Sequence, residues 1–144
     1  MKKLNIGILA LSLLFFINCS NGQNAKTNVD ANAFNELVNA SNQAQLIDVR
    51  TPEEFAKGHL INALNFDWNG NEFDKQVSSL NKEASVFVYC LSGGRSAAAA
   101  AQLRSAGFKN VIELNGGIMK WRGANLPETT EATIQNTGMS VADF

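Results

Sequence analysis

From residue 30 onward the apolar positions fall into alternating blocks of two kinds: short, mostly apolar runs, and residues recurring at three- and four-residue spacing. Leu46-Ile47-Asp48-Val49, residues 63–66, Val86-Phe87-Val88-Tyr89 and residues 111–114 are of the first kind and predict strands. The run at 86–89 has no polar alternation, which predicts burial on both faces, as in a parallel sheet covered by helices. Helical spacing appears at Phe34, Leu37 and Val38, with Asp30 as the cap, and again at Phe73, Val77 and Leu80. In Thr51-Pro52-Glu53-Glu54, Thr51 sits at a cap, Pro52 at the first helical position and Glu54 where it closes a capping box; Gly58 supplies a left-handed stop. Residues 96–106 read as an Ala-rich helix ended by Gly107, and 117–122 as a last short helix. Strand and helix alternate with no internal repeat. The pattern predicts an α/β domain built on a parallel sheet.

The first 18 residues follow another grammar. Met1-Lys2-Lys3 precedes an apolar run, Leu4 to Ile17, too short to cross a bilayer comfortably as a helix, which takes roughly 20 residues. This predicts a signal peptide rather than a permanent transmembrane anchor. Cys19 follows the run directly, in Phe16-Ile17-Asn18-Cys19-Ser20, and resembles the lipidated cysteine of bacterial lipoproteins, with Asn18 standing where Gly, Ala or Ser is usual. Ordinary signal-peptidase cleavage and an uncleaved membrane-associated segment are the competing readings. The lack of a cleavage site of the A-x-A kind before Asn28 favours the lipid. The expected organisation is a lipoprotein-type signal peptide over 1–18, a polar tether over 19–28, the domain over 29–127 and a polar tail over 128–144. The chain is then expected to be exported and lipid-anchored in the cell envelope, facing the periplasm.

Composition narrows the chemistry. The 144 residues carry 12 Lys plus Arg against 13 Asp plus Glu, so no strongly basic surface argues for nucleic acid as a partner. Removing residues 1–18 takes Lys2 and Lys3 and no carboxylate, which leaves the exported chain mildly acidic. Two cysteines and one histidine exclude a disulfide scaffold and a four-ligand Cys/His zinc site. No metal or cofactor is expected.

In open α/β sheets the working site lies at the carboxyl ends of the strands. Here that place holds Cys90-Leu91-Ser92-Gly93-Gly94-Arg95-Ser96, between the most apolar strand and the Ala-rich helix. Gly93 and Gly94 permit backbone angles closed to other residues, so the loop is expected to turn its N–H groups inward. Those groups, the positive end of the following helix and the charge of Arg95 would stabilise an anion, the Cys90 thiolate or a persulfide on it. The bland alternative is a small buried cysteine without chemistry, and the glycines and Arg95 weigh against it.

Leu46 to Phe55 with Gly58-His59-Leu60, Ala63 and Asn65 resembles the first signature of the rhodanese family. The Cys90 loop is similar to that family's active-site loop, and Leu114-Asn115-Gly116-Gly117-Ile118 with Trp121 and Pro127 to its closing signature. The resemblance implies a five-stranded parallel sheet flanked by helices on both faces, acting as a monomer. It implies transfer of sulfane sulfur: Cys90 takes sulfur from a donor such as thiosulfate, holds it as a persulfide and passes it to cyanide or a thiol. Leu91, Ser92, Gly93, Gly94, Arg95 and Ser96 would bind the substrate, with Arg95 orienting the anionic donor. Asp48 and Arg50 resemble residues at the rim of the family's site and are expected to support the loop, a structural ion pair being the alternative role. His59 is expected to shape the fold rather than act as a base, and Trp121 to anchor the core. Cysteine-dependent phosphatases place five residues between Cys and Arg, whereas four intervene here, a smaller cradle that suits a sulfur atom. A non-catalytic binding or regulatory module on the same scaffold is the rival function; the intact loop argues against it. One departure stands out: members usually carry a Gly shortly before the Pro matched by Pro127, and this chain reads Ala124-Asn125-Leu126 there.

Overall fold

The computed structural model describes residues 27–131, so the signal-peptide reading and Cys19 lie outside the described residues. Five parallel strands form the main sheet in the order β1 (Asn28–Val29), β6 (Val111–Leu114), β5 (Val86–Tyr89), β2 (Gln45–Asp48) and β4 (Leu64–Asn65). A second, two-stranded antiparallel pair joins β3 (His59–Leu60) to β7 (Glu128–Thr129). The expected α/β architecture, a five-stranded parallel sheet flanked by helices, is the one observed.

The pleat explains why the central strand β5 is apolar throughout. Val86, Val88 and Cys90 enter one core with Ile47, Val49 and Val111, under α3 (Phe73–Ser78) and α4 (Gly94–Ser105), which contribute Phe73, Val77, Ala99, Ala100 and Leu103. Phe87 and Tyr89 point the other way, into a core with Leu46 and Leu114 under α1 (Ala31–Ala40) and α5 (Gly117–Gly123). There Phe34 meets Phe87 and Trp121 edge-on, at centroid distances of 5.5 and 6.4 Å. Trp121 is thus a core anchor, its indole N–H donating to the Pro127 carbonyl at 3.0 Å.

The helix starts follow their sequence signals. Asp30 accepts from the Ala33 N–H at 3.0 Å, and α2 (Pro52–Ala56) begins with the complete Thr51/Glu54 capping box. Gly58, just past α2, has φ +137°, and its missing Cβ leaves room for the Glu128 carboxylate. Asn125 takes the left-handed conformation, φ +55°, at the turn where the sequence lacks the expected glycine; asparagine is among the residues that tolerate it.

Three expectations change. Leu37 is exposed, because α1 packs through Ala31 and Phe34, with Val38 partly buried, rather than through a 34/37/38 stripe. Asn28, placed in the tether, belongs to edge strand β1, and the Asn115 N–H donates to Val29 O at 2.8 Å. Residues 128–129, placed in the polar tail, form β7 against β3. His59 completes that attachment: buried at 1% exposure, it stacks on Phe55 and sets its ring nitrogens 2.9 Å from Phe55 O and 3.1 Å from Glu131 O.

Candidate active site

Chain direction places the site. From β2 the chain moves outward to β4, and from β5 it moves the opposite way to β6, so the loops after β2 and β5 flank a crevice at the carboxyl edge of the sheet. Cys90 follows β5 directly and is 1% exposed. The Gly93 N–H donates to its Sγ at 3.1 Å. The Ser96 hydroxyl lies 3.5 Å from Sγ and 3.1 Å from the Gly93 carbonyl, so its single proton is shared between two acceptors. Burial pushes the thiol's pKa up; the Ser96 hydroxyl and the backbone N–H groups of Ser96, Gly93 and Ser92 outweigh it, and the pKa is lowered. The sulfur therefore sits among hydrogen-bond donors at the N-terminal end of α4, a setting that favours thiolate.

Gly93 has φ +111°, as the inward turn requires. Gly94 does not share that conformation: it is the first residue of α4, and a Cβ there would meet nothing within 4 Å. The expectation that both glycines supply unusual backbone angles thus holds for Gly93 alone. Helix α4 also starts two residues earlier than the sequence suggests, which puts Arg95 in its first turn.

The back of the loop is held by α5. The Ile118 N–H donates to Cys90 O at 2.9 Å, and the Met119 N–H to Leu91 O at 3.2 Å. Gly117, φ +61°, allows this approach, since a Cβ on it would lie 2.5 Å from Cys90 O and from the Leu91 carbonyl carbon and oxygen. Gly116 and Gly117 were legible as a turn into the last helix; that they press on the nucleophile's own peptide was not. No sequence spacing between residues 90 and 117 signals it.

Two ion pairs flank the crevice. Arg50 and Asp48 are 2% and 0% exposed, with Nη2 and Oδ2 2.6 Å apart, and Arg50 Nη2 also donates to Gly58 O at 2.8 Å. Burial opposes the guanidinium's charge, the bonds and charge of Asp48 outweigh it, and its pKa is raised. Asn65 donates to the carbonyls of both residues, at 3.1 and 2.8 Å. The geometry is that of an internal brace between the β2 loop, the end of α2 and β4. Arg95 meets Glu54 across the crevice at two points, 2.6 and 2.8 Å. That bond, against some burial and with help from the Thr51 N–H, holds the Glu54 carboxyl down to about 2. Glu54 was legible only as a helix cap, and its second role went unread. Leu91 and Met119 remain exposed beside Cys90.

A buried thiol at a strand end, cradled by N–H groups and a helix N-terminus on an α/β sheet, is the setting that nucleophilic cysteine chemistry uses. The chain belongs to the rhodanese family: residues 30–124 match the rhodanese-like domain. It is 32% identical over 99 residues to a sulfurtransferase of Allochromatium vinosum, covering 69% of this chain and 91% of that protein. It is 38% identical over 91 residues to the chloroplastic thiosulfate sulfurtransferase 16 of Arabidopsis thaliana, covering 56% and 76% respectively. A crystal structure of a rhodanese-related protein from Thermoplasma volcanium matches with a TM-score of 0.64 at 29% identity, over 72% of this chain and 98% of that one.

Two outcomes test this geometry. Ser96→Ala removes a donor to the thiolate, so the pH midpoint for alkylation of Cys90 by iodoacetamide moves upward and the rate at neutral pH falls; an unchanged midpoint would remove Ser96 from the cradle. Asp48→Ala leaves the buried Arg50 unpaired and should cost about 3–5 kcal/mol in urea unfolding. Adding Arg50→Met should recover part of that loss, because the orphaned charge leaves with it.

Proposed function

We propose that the protein is a sulfurtransferase that carries sulfane sulfur as a persulfide on Cys90. The observation that carries this reading is the convergence of the Gly93 N–H and the Ser96 hydroxyl on Sγ at the end of β5. With thiosulfate as donor, the thiolate attacks the outer sulfur, the new Sγ–S bond forms as the S–S bond of thiosulfate breaks, and sulfite departs with the bonding pair. The persulfide keeps the negative charge, so the donors that stabilised the thiolate serve it as well. Cyanide or a thiolate then attacks the terminal sulfur, and Cys90 leaves as thiolate to complete the cycle. No general base is assigned, since the donors around Sγ themselves favour the thiolate. The reading takes the protein to act as a monomer. The sequence similarity to the thiosulfate sulfurtransferases supports thiosulfate as a donor.

Mass spectrometry after thiosulfate treatment should show one added sulfur on the Cys90 peptide, lost on cyanide and absent in Cys90→Ser. Wild-type protein that gains no sulfur from any donor tried would overturn the proposal. Residues 1–19 support a further part of it, export to the cell envelope and periplasm with a lipid on Cys19. Fatty-acid labelling should then depend on Cys19, and label that persists in Cys19→Ala would remove the anchor.

A further inference from the structure

We infer that Glu54 is a specificity-determining positioning residue: by binding the Arg95 guanidinium at two points it withholds that cation from the incoming donor, so the site selects against highly charged donors. The inference rests on sulfur transfer at Cys90 and names the charge class of donor the site prefers.

Position comes first. Glu54 lies in the first turn of the helix after β2, and Arg95 in the first turn of the helix after β5. These strands are neighbours, and their loops face each other across the crevice at the Cys90 end of the sheet. Both terminal nitrogens of Arg95 are engaged, Nη1 with Oε2 at 2.6 Å and Nη2 with Oε1 at 2.8 Å. The carboxylate is fixed from its other side too, Oε2 accepting the Thr51 N–H at 3.1 Å. Arg95 therefore does not point a free fork at the sulfur.

Charge balance gives the consequence. Arg95 comes with the Glu54 carboxylate, and Arg50, the other arginine of the crevice, is closed on Asp48 and on the Gly58 carbonyl. With both pairs neutral overall, the thiolate faces the donor with dipoles, the N–H groups and the Ser96 hydroxyl, as its direct support. A dianion such as thiosulfate meets more repulsion there than a monoanionic thiosulfonate of the same reactive sulfur chemistry. The Arg95 and Glu54 side chains are 24% and 28% exposed, so the pair is weak enough to be released by neutralising Glu54.

The test is Glu54→Gln in the full chain. Glutamine keeps the acceptor that caps α2, so thermal unfolding should change little. At low ionic strength the KM for thiosulfate should fall about fivefold with kcat nearly unchanged, while the KM for methanethiosulfonate, a monoanion whose sulfinate leaves as sulfite does, moves less. Salt should erase the difference, and adding Arg95→Gln should abolish it. A readout without turnover runs beside it: the ratio of Cys90 alkylation rates by anionic iodoacetate and neutral iodoacetamide, resolved by peptide mapping, should rise by a similar factor. An unchanged alkylation ratio together with an unchanged donor ratio would overturn the inference, as would equal losses of kcat for both donors restored by Glu54→Asp, the mark of a merely structural role. Wild-type protein that never gains sulfur, while the alkylation ratio still responds, would instead overturn sulfur transfer and leave Glu54 as the control on the charge of what reaches Cys90.

Discussion

The arrangement at Cys90 depends on the contact between its loop and the first turn of α5. A trans peptide points its C=O and its N–H in opposite directions. Because the carbonyls of Cys90 and Leu91 accept from the Ile118 and Met119 N–H groups, the amides that follow are turned away from α5. The Ser92 N–H, on the peptide whose carbonyl belongs to Leu91, is one of those that stabilise the thiolate. The nucleophile's cradle is therefore set from behind, by a helix 27 residues further along the chain, and Gly117 is the residue whose lack of a side chain lets the two backbones meet.

The two arginines at the crevice differ in what their partners do. Arg50 is buried with Asp48 and also holds the Gly58 carbonyl, and a charge pair in such surroundings fixes geometry more than it adds stability. The β2 loop, the end of α2 and Asn65 of β4 are thereby locked into one body. Glu54, four residues beyond Arg50, inherits a fixed position and offers its carboxylate to Arg95 from the opposite wall. Rigidity on the β2 side is thus what makes the charge relation on the β5 side well defined.

What could be read in the sequence was what local physics dictates. The 86–89 and 111–114 strands coincide with those in the structure, and the Thr51 capping box and the Asp30 cap are present, because each rests on neighbours within four residues. Strands β1, β3 and β7 have two residues each and no periodicity of their own; they exist because a partner strand supplies the other half of each ladder. The Cys90 loop was legible as a candidate site from its glycines and its place after an apolar strand. Its electrostatics were not: Arg95 looked like the thiolate's counter-charge, and only the fold brings Glu54 to it across 41 positions. Gly93 and Gly94 read alike, yet one turns the loop and the other begins a helix.

Burial of the thiol and its chemistry are compatible for a geometric reason. At 1% exposure Cys90 offers little surface to solvent, which limits the access that oxidation beyond the sulfenic state requires. In the proposed persulfide the added sulfur reaches about 2 Å beyond Sγ, the length of an S–S bond, while the N–H groups of the loop remain around the side chain. Cys90 is the only cysteine among the described residues, so no neighbouring thiol of the folded domain is placed to take that sulfur. On the proposed reading its acceptor therefore comes from outside the folded domain.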